Sequence, residues 1–353
     1  MASQENKTRH REHITMQDVA EQAQVSQSTV SRVLNESSSA IPISEETKQR
    51  VLAAARALGY RPNPLARALR GGSAHLIGVI VRDIADMFFA PLLSILSTMA
   101  SANGYNLLLG HAQTSSSEAL ALQNILDSRH CDGIIMLGDI PGDDVVLDEL
   151  TKMDRPIVNL CRGRAPASMF TVNVDNEKGA LLLLDYLRGL GHSRIGFIDG
   201  GWVGDIGERR KAYHRFMKEN GWDDTVYYVL AEQNDPAGGC RAAKILLSLP
   251  EQPTAIFASD DSLAIGALKA AAELGLRVPE QVSIAGFDDV ELAQFTIPSL
   301  TTVRQPLEEL ARTGLQVLLE MIDGSRSPDT GTVLRVEPEL ITRNSCASPW
   351  NIS

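Results

Sequence analysis

The stretch "ITMQDVAEQAQVSQSTVSRVLN", residues 14–35, decides how the first part of the chain folds. Thr15 and Asp18 have the spacing of a capping box, and Ile14 and Val19 occupy the flanking positions of a hydrophobic staple. A first helix is therefore expected to run to about Ala23. "QVS" then makes a tight turn, and Ser26 caps a second helix. In that helix Val30, Val33 and Leu34 point to one side, while Gln27, Ser28, Ser31 and Arg32 fall largely on the other. A third helix is expected from Ser44 through Val51, Leu52, Ala55 and Leu58 to Gly59. Two short helices joined by a tight turn and closed by a third describe a helix-turn-helix unit, whose second helix lies in the DNA major groove. Arg32 suits a guanine edge and Gln27 an adenine edge. Thr29 and Ser31 suit phosphate contacts, which position without reading sequence. Thr15, Ser26, Ser28 and Asn35 complete the candidate DNA-facing set. A plain helical bundle with a solvated polar face would carry the same pattern.

Charge separates this segment from the rest. The chain has 353 residues and a formal net charge of −11, which looks wrong for a nucleic-acid binder. Residues 1–75, however, hold 10 basic and 7 acidic residues, a net of +3, against 23 and 37, a net of −14, in the remainder. A mildly basic module on an acidic body fits DNA binding by the module alone. The length allows two or three domains. The opening "MASQENKTRHREH" is polar, and no apolar run reaches membrane-spanning length, so a cytoplasmic, nucleoid-associated protein without membrane contact is expected. Cys131, Cys161, Cys240 and Cys346 are scattered without a CxxC pair and read as reduced, incidental thiols. The 7 histidines show no metal-ligand spacing. Neither a metal nor a cofactor is expected.

Between module and body lies "RPNPLARALRGGSAH", residues 61–75. Asn63 can cap a helix, Pro64 fits its first position, and Gly71–Gly72 suit its exit. Such a helix is too short to stand alone in water. It would form when something adds contacts; a flexible linker is the alternative.

From His75 onward, apolar runs alternate with helical stretches: "LIGVIV", "YNLLLG", "DGIIML" and "PIVNL", then, after residue 172, "RIGFIDG", "YYVLAE", "AIFASD" and "VSIAGF". Short buried strands alternating with helices mean parallel sheets flanked by helices, and two series mean two similar lobes. "LTTVRQPLEELARTGLQVLLEMIDG" adds a strand and a helix, and "TVLRVEPELITR" one more strand. The fold class is thus a small all-α helix-turn-helix domain plus a two-lobed α/β domain. Ligands in such sheets sit beyond the carboxyl ends of strands. That points to the loops 82–89, 161–164 (with Arg162), 200–209, 232–235 and 259–261. An enzyme reading fares worse. The glycines of "IGFIDGGWVGDIGERR" lack dinucleotide-binding spacing, and no phosphate loop or nucleophile elbow is present.

"MQDVAEQAQVSQSTVSRVLN" followed by "VLAAARALGYRPNPLARALR" resembles the head of the lactose/galactose repressor (LacI) family of bacterial transcription regulators. The resemblance continues through "VNVDNEKGA", "LGHSRIGFIDG", "SDDSLAIGAL", "ELGLRVPEQVSIAGFDD" and "PSLTTVRQP", from residue 14 to about 345. It implies a body resembling periplasmic sugar-binding proteins, with lobes that close on an effector. It implies that Phe88 and Phe89 line the cleft, that Arg209 and Asp261 clamp vicinal hydroxyls, and that Asp205 contacts the effector. Asn234 falls near a position where relatives often carry an aromatic ring, and Ala212 replaces a common glycine. The 61–74 segment would be a hinge helix paired with its twin in the minor groove, where Asn63 and Ala66 contact DNA and Leu69 wedges between base pairs.

The resulting domain plan has a disordered tail (1–13), the helix-turn-helix domain (14–60), the hinge and linker (61–74), the effector-binding and dimerisation domain (75–345) and a C-terminal tail (346–353). Lobe 1 would take about 75–172 plus 301–328, and lobe 2 about 173–298 plus 332–345. The expected function is a sequence-specific regulator, a repressor of palindromic operators, controlled by a sugar or sugar derivative. A purine, nucleoside or other co-repressor is the alternative effector; a solute-binding protein or nucleotide-dependent enzyme is the alternative class. No heptad leucines follow the last strand, so a homodimer is expected.

Overall fold

The computed structural model describes residues 14–34, 42–60, 73–111, 131–139, 155–162, 169–327 and 331–349. The expectations for residues 1–13, for Asn35 and for the short helix carrying Asn63, Ala66 and Leu69 lie outside these. The chain divides into two compact units, Met1–Ala74 and His75–Ser353.

In the first unit, α1 (Met16–Ala23), α2 (Gln27–Leu34) and α3 (Glu45–Leu58) surround one small core of Val19, Ala20, Ala23, Val30, Val51, Ala54 and Ala55. Each boundary has a local cause. The Asp18 amide donates to Thr15 Oγ1 (3.3 Å) and the Thr15 amide to Asp18 Oδ2 (2.6 Å), a reciprocal capping box. The Thr15 amide and then its hydroxyl (2.8 Å), both donating to Asp18 Oδ2, hold this carboxyl below its usual range. α1 ends at Gln24, whose left-handed backbone (φ 54°) turns the amide back onto Ala20 and Glu21 carbonyls. Ser26 Oγ accepts from the Thr29 amide (3.1 Å) and opens α2. Ser44 caps α3, and Gly59, at φ 67°, closes it.

The second unit holds two parallel sheets. The first has the order β11-β5-β4-β3-β1-β2: β1 (Leu76–Val81), β2 (Asn106–His111), β3 (Gly133–Leu137), β4 (Ile157–Leu160), β5 (Phe170–Val174) and β11 (Val333–Val336). All its pairings are parallel. β3, β4 and β5 are buried along their whole length, as helix-covered strands must be. α4 (Phe89–Ala102) follows β1, and α9 (Leu307–Ile322) packs against β3, β4 and β5. The second sheet, in the order β7-β6-β8-β9, comprises β6 (Ile195–Asp199), β7 (Tyr228–Leu230), β8 (Ala255–Ala258) and β9 (Ser283–Ala285). It is accompanied by α5 (Asn176–Gly189), α6 (Asp205–Glu219), α7 (Pro236–Leu247) and α8 (Asp261–Glu273). β10 (Thr302–Arg304) and β12 (Glu339–Ile341) form an antiparallel pair, and bridges from Thr301 to Ala285 and from Arg304 to Asp288 join β10 to the second lobe. One buried apolar cluster runs from Val79, Leu92 and Leu160 of the first lobe to Phe197, Phe257 and Phe287 of the second.

Three details differ from the sequence expectation. "TVLRVEPELITR" is not one strand of lobe 2. Glu337–Pro338 divides it, so β11 completes the first lobe's sheet beside β5 and β12 joins the second lobe; a proline cannot continue a ladder. The first lobe also extends past residue 172, because β5 runs to Val174. The described part of the expected tail is stitched down. The Ile284 amide donates to the Ser345 carbonyl (2.9 Å), the Ala347 amide to Ser283 Oγ (3.1 Å), and His192 Nε2 meets the Ala347 carbonyl (2.9 Å).

Thr15→Ala removes one arm of the capping box and should cost about 1 kcal/mol of helix stability. Hydrogen exchange on the full chain should show faster exchange across Met16–Ala20; unchanged protection would contradict the cap's role.

Candidate functional site

In the first unit, Ser26, Gln27 and Ser28 are exposed at the start of α2, and Thr29, Ser31 and Arg32 are half-exposed along it. Val30 is turned into the core between them. The fold thus separates the polar face from the apolar one as the sequence pattern requires. The hydroxyls of Thr15 and Ser26 are engaged in capping, the latter also with Ser28 (2.7 Å) and Thr29 (2.8 Å). A helix start with exposed hydroxyls and amides suits a phosphate group.

In the second unit, the carboxyl ends of both sheets meet around two buried guanidiniums. Arg209, on the second turn of α6, is 1% exposed. Its Nε donates to Asn176 Oδ1 (2.9 Å), and its Nη1 to the Ser259 carbonyl (2.6 Å) and Asp288 Oδ1 (3.3 Å). Nη2 lies 3.8 Å from Asp205 Oδ2, and the guanidinium sits 3.7 Å from the centre of the Phe287 ring. Asp288 itself adopts φ 116°, a backbone region rarely used by residues with side chains, and its Oδ1 also accepts from Gln305 (2.6 Å). Burial raises the Asp288 carboxyl well above its usual range, with Arg209 opposing.

Arg82, which directly follows β1, is the second guanidinium. It is 5% exposed and lies between two rings, Phe89 of its own lobe at 4.9 Å and Trp202 of the other lobe at 4.6 Å. Its Nη2 donates to Asp86 Oδ2 (2.8 Å). Burial opposes its charge, but the carboxylates of Asp205, Asp86 and Asp139 outweigh this and hold the group more firmly protonated than usual. Asp139, after β3, accepts from the Gly204 amide of the other lobe (2.8 Å). A Cβ at residue 204 would lie 2.0 Å from Asp139 Oδ2, so only glycine allows this approach.

The remaining sequence candidates have definite places. Phe88 and Phe89 are buried and pack edge to face at 5.2 Å in the core; Phe89 lies against the Arg82 guanidinium. Arg162 is buried and donates to the Gly138 carbonyl (3.3 Å). Asp205 is buried at the start of α6 beside Arg209. Asn234 is half-buried, with its Oδ1 against Gly200. Among the described residues Arg209 and Asp261 share no hydrogen bond or ion pair. Asp261 Oδ1 accepts from Thr302 Oγ1 (2.6 Å) and Oδ2 from the Val290 amide (2.9 Å), so each oxygen holds a neighbour of the second lobe. Burial pushes this carboxyl up to about 8. The capping role belongs to its neighbour Asp260, whose Oδ1 accepts from the Leu263 amide (2.9 Å). Arg209 finds its acidic partners in Asp288 and Asp205 instead.

Sequence reasoning placed Arg82 and Trp202 in candidate loops without singling them out, and missed Asp139, Asn176 and Asp288. Two of them had a visible signal: Arg82 and Asp139 are charged residues within two positions of the carboxyl ends of apolar strands, where a ligand edge is expected. Asp261→Ala leaves the Val290 amide and the Thr302 hydroxyl without their acceptor and should destabilise the second unit by about 2 kcal/mol. Urea unfolding measures this; wild-type stability would show that the carboxylate does not hold these groups.

The chain matches a family model for bacterial regulatory proteins of the lacI family over residues 15–63, and one for the periplasmic binding protein-like domain over residues 184–346. It is 33% identical over 332 residues to the HTH-type transcriptional repressor CytR of Escherichia coli strain K12, covering 94% of this chain and 96% of that protein. It is also 33% identical over 337 residues to the repressor PurR of an Escherichia coli O139:H28 strain, covering 94% and 97%. Among solved structures it resembles the lac repressor dimer bound to operator and the anti-inducer ONPF, at 27% identity and a TM-score of 0.83, covering 95% of this chain and 99% of that one. A complex of the regulator CelR with cellobiose matches at 27% identity and a TM-score of 0.69, covering 94% and 99%. With a helix-turn-helix head, a two-lobed body and relatives matched along nearly their whole length, the chain belongs to the lacI family of bacterial regulatory proteins, ligand-controlled repressors of transcription.

Proposed function

We propose that this repressor reads its operator through Gln27 and Arg32 of α2, and that Ser28, Thr29 and Ser31 anchor it to phosphates. The observation that carries this reading is the polar start of α2, exposed beside a fully buried Val30. Thr15 and Ser26 shape that surface by capping. The protein works in the cytoplasm, on DNA; among the described residues no helix is long and apolar enough to cross a membrane.

A homodimer matches a two-fold operator. Supporting it, Leu292, Phe295 and Ile297 follow one another along a single segment of the second lobe at 52%, 67% and 97% exposure. Neighbouring apolar side chains exposed to this degree suit an interface. The related lac repressor was crystallised as a dimer on operator.

The effector binds between the lobes, where Arg82 and Arg209 meet carboxylates from both sheets. A sugar or sugar derivative suits this mixture of rings and placed polar groups, and the related CelR holds cellobiose. The effector shifts operator affinity through its different affinity for the two states of the body.

Selection of bound duplexes from a random pool tests the DNA reading. The wild type should enrich a two-fold symmetric sequence. Arg32→Ala should lose about 1–3 kcal/mol of discrimination at one position in each half-site. Unchanged preference would remove Arg32 from base reading.

A further inference from the structure

The polar inventory of the cleft says more about its ligand than a sugar-like shape does. Arg82 and Arg209 are almost wholly buried, yet Arg82 Nη1 and Arg209 Nη2 make no hydrogen bond to any described residue. Asn173, buried at the carboxyl end of β5, donates through its Nδ2 to the Arg162 carbonyl while its Oδ1 accepts from no described residue. Buried groups of this kind are normally satisfied, so these two donors and one acceptor call for a partner that both accepts and donates. A hydroxyl does both; an ionised carboxylate or a fully ionised phosphoryl group only accepts.

Charge points the same way. Arg82 and Arg209 are already surrounded by Asp86, Asp139, Asp205, Asp260 and Asp288, which act on them or on one another. Burial holds the Asp260 and Asp288 carboxyls above their usual range, and each is raised further by Asp86. A site that already resists its own negative charges has no room for another. Arg82 carries the specificity. Packed between Phe89 and Trp202, it is fixed in place, and it touches both lobes.

We infer that the cleft takes an uncharged, hydroxyl-bearing ligand and excludes phosphorylated or carboxylated ones, with Arg82 as the specificity-determining residue and the surrounding aspartates as the barrier to anions. This rests on the proposed effector role of the cleft, but its test reads the cleft's charge selection without reference to DNA.

Inorganic phosphate is the probe. Thermal melting of the full chain is followed with and without about 10 mM phosphate at matched ionic strength. Four proteins are compared: the wild type, Arg82→Met, Asp205→Asn, and Asp139→Asn combined with Asp205→Asn. Arg82→Met reports the general stabilisation that phosphate gives any folded protein. The wild type should rise no more than Arg82→Met. The double asparagine variant should rise more than Arg82→Met by about 2 °C or beyond, since its arginines are then free to hold the anion. A wild type that gains more than Arg82→Met would overturn the exclusion of anions. Asparagine variants that gain nothing extra would overturn the aspartates as the barrier. Should the double variant prove unfolded by circular dichroism, the wild type, Arg82→Met and Asp205→Asn still decide. Operator gel shifts, run separately, report whether the cleft controls DNA binding, so the two readings fail independently.

Discussion

The buried Arg209 guanidinium is the group on which the body's arrangement depends. It stands on α6, the helix that leaves the carboxyl end of β6. Through Asn176 it reaches the start of α5, just where the chain enters the second lobe from β5. Asn176 Nδ2 in turn approaches Glu208 Oε2 (3.4 Å), and Glu208 accepts both Nη1 (3.0 Å) and Nη2 (2.9 Å) of Arg335 on β11, the strand that ends at another lobe crossing. Through Asp288 it reaches Gln305, at the third crossing between β10 and α9. One side chain thus links the ligand edge to every place where the chain passes between the lobes. Removing one partner of such a buried pair typically costs about 3–5 kcal/mol, because the other charge is left uncompensated.

This arrangement ties the two lobes to one polar network. Each crossing carries a polar group that belongs to the Arg209 network, and Asp288 holds its place at φ 116° against steric preference. Under the proposed effector role, a ligand that gives Arg82 Nη1 and Arg209 Nη2 the acceptors they lack would act on a network that reaches all three crossings. Arg82, stacked on Trp202, and Asp139, bonded to Gly204, join the lobes directly across the cleft as well.

Much of this was legible in the sequence because it is locally encoded. The capping box at Thr15–Asp18, the Ser26 and Ser44 caps and the Gly59 exit place the three head helices almost to the residue. The strand runs and their grouping into two series follow from apolar blocks of strand length. What was not legible depends on direction and distance. Asp260 and Asp261 are neighbours at a helix start, where successive side chains diverge by roughly 100°; which one turns inward depends on Thr302 and Val290, far along the chain. The run after residue 331 looked like one strand, since alternation cannot show that Glu337–Pro338 carries the chain from one sheet to the other. The loop carrying Arg82 was legible, but nothing local announces that Trp202 lies over its guanidinium.

The most direct test of the central claim is a double-mutant cycle between Arg209→Met and Arg335→Met, read by urea unfolding of the full chain. The two arginines are joined through Asn176 and Glu208. A coupling of about 1 kcal/mol or more is expected between the two substitutions. Strict additivity would contradict it, since Arg209 would then hold its own neighbours without binding the crossings into one unit.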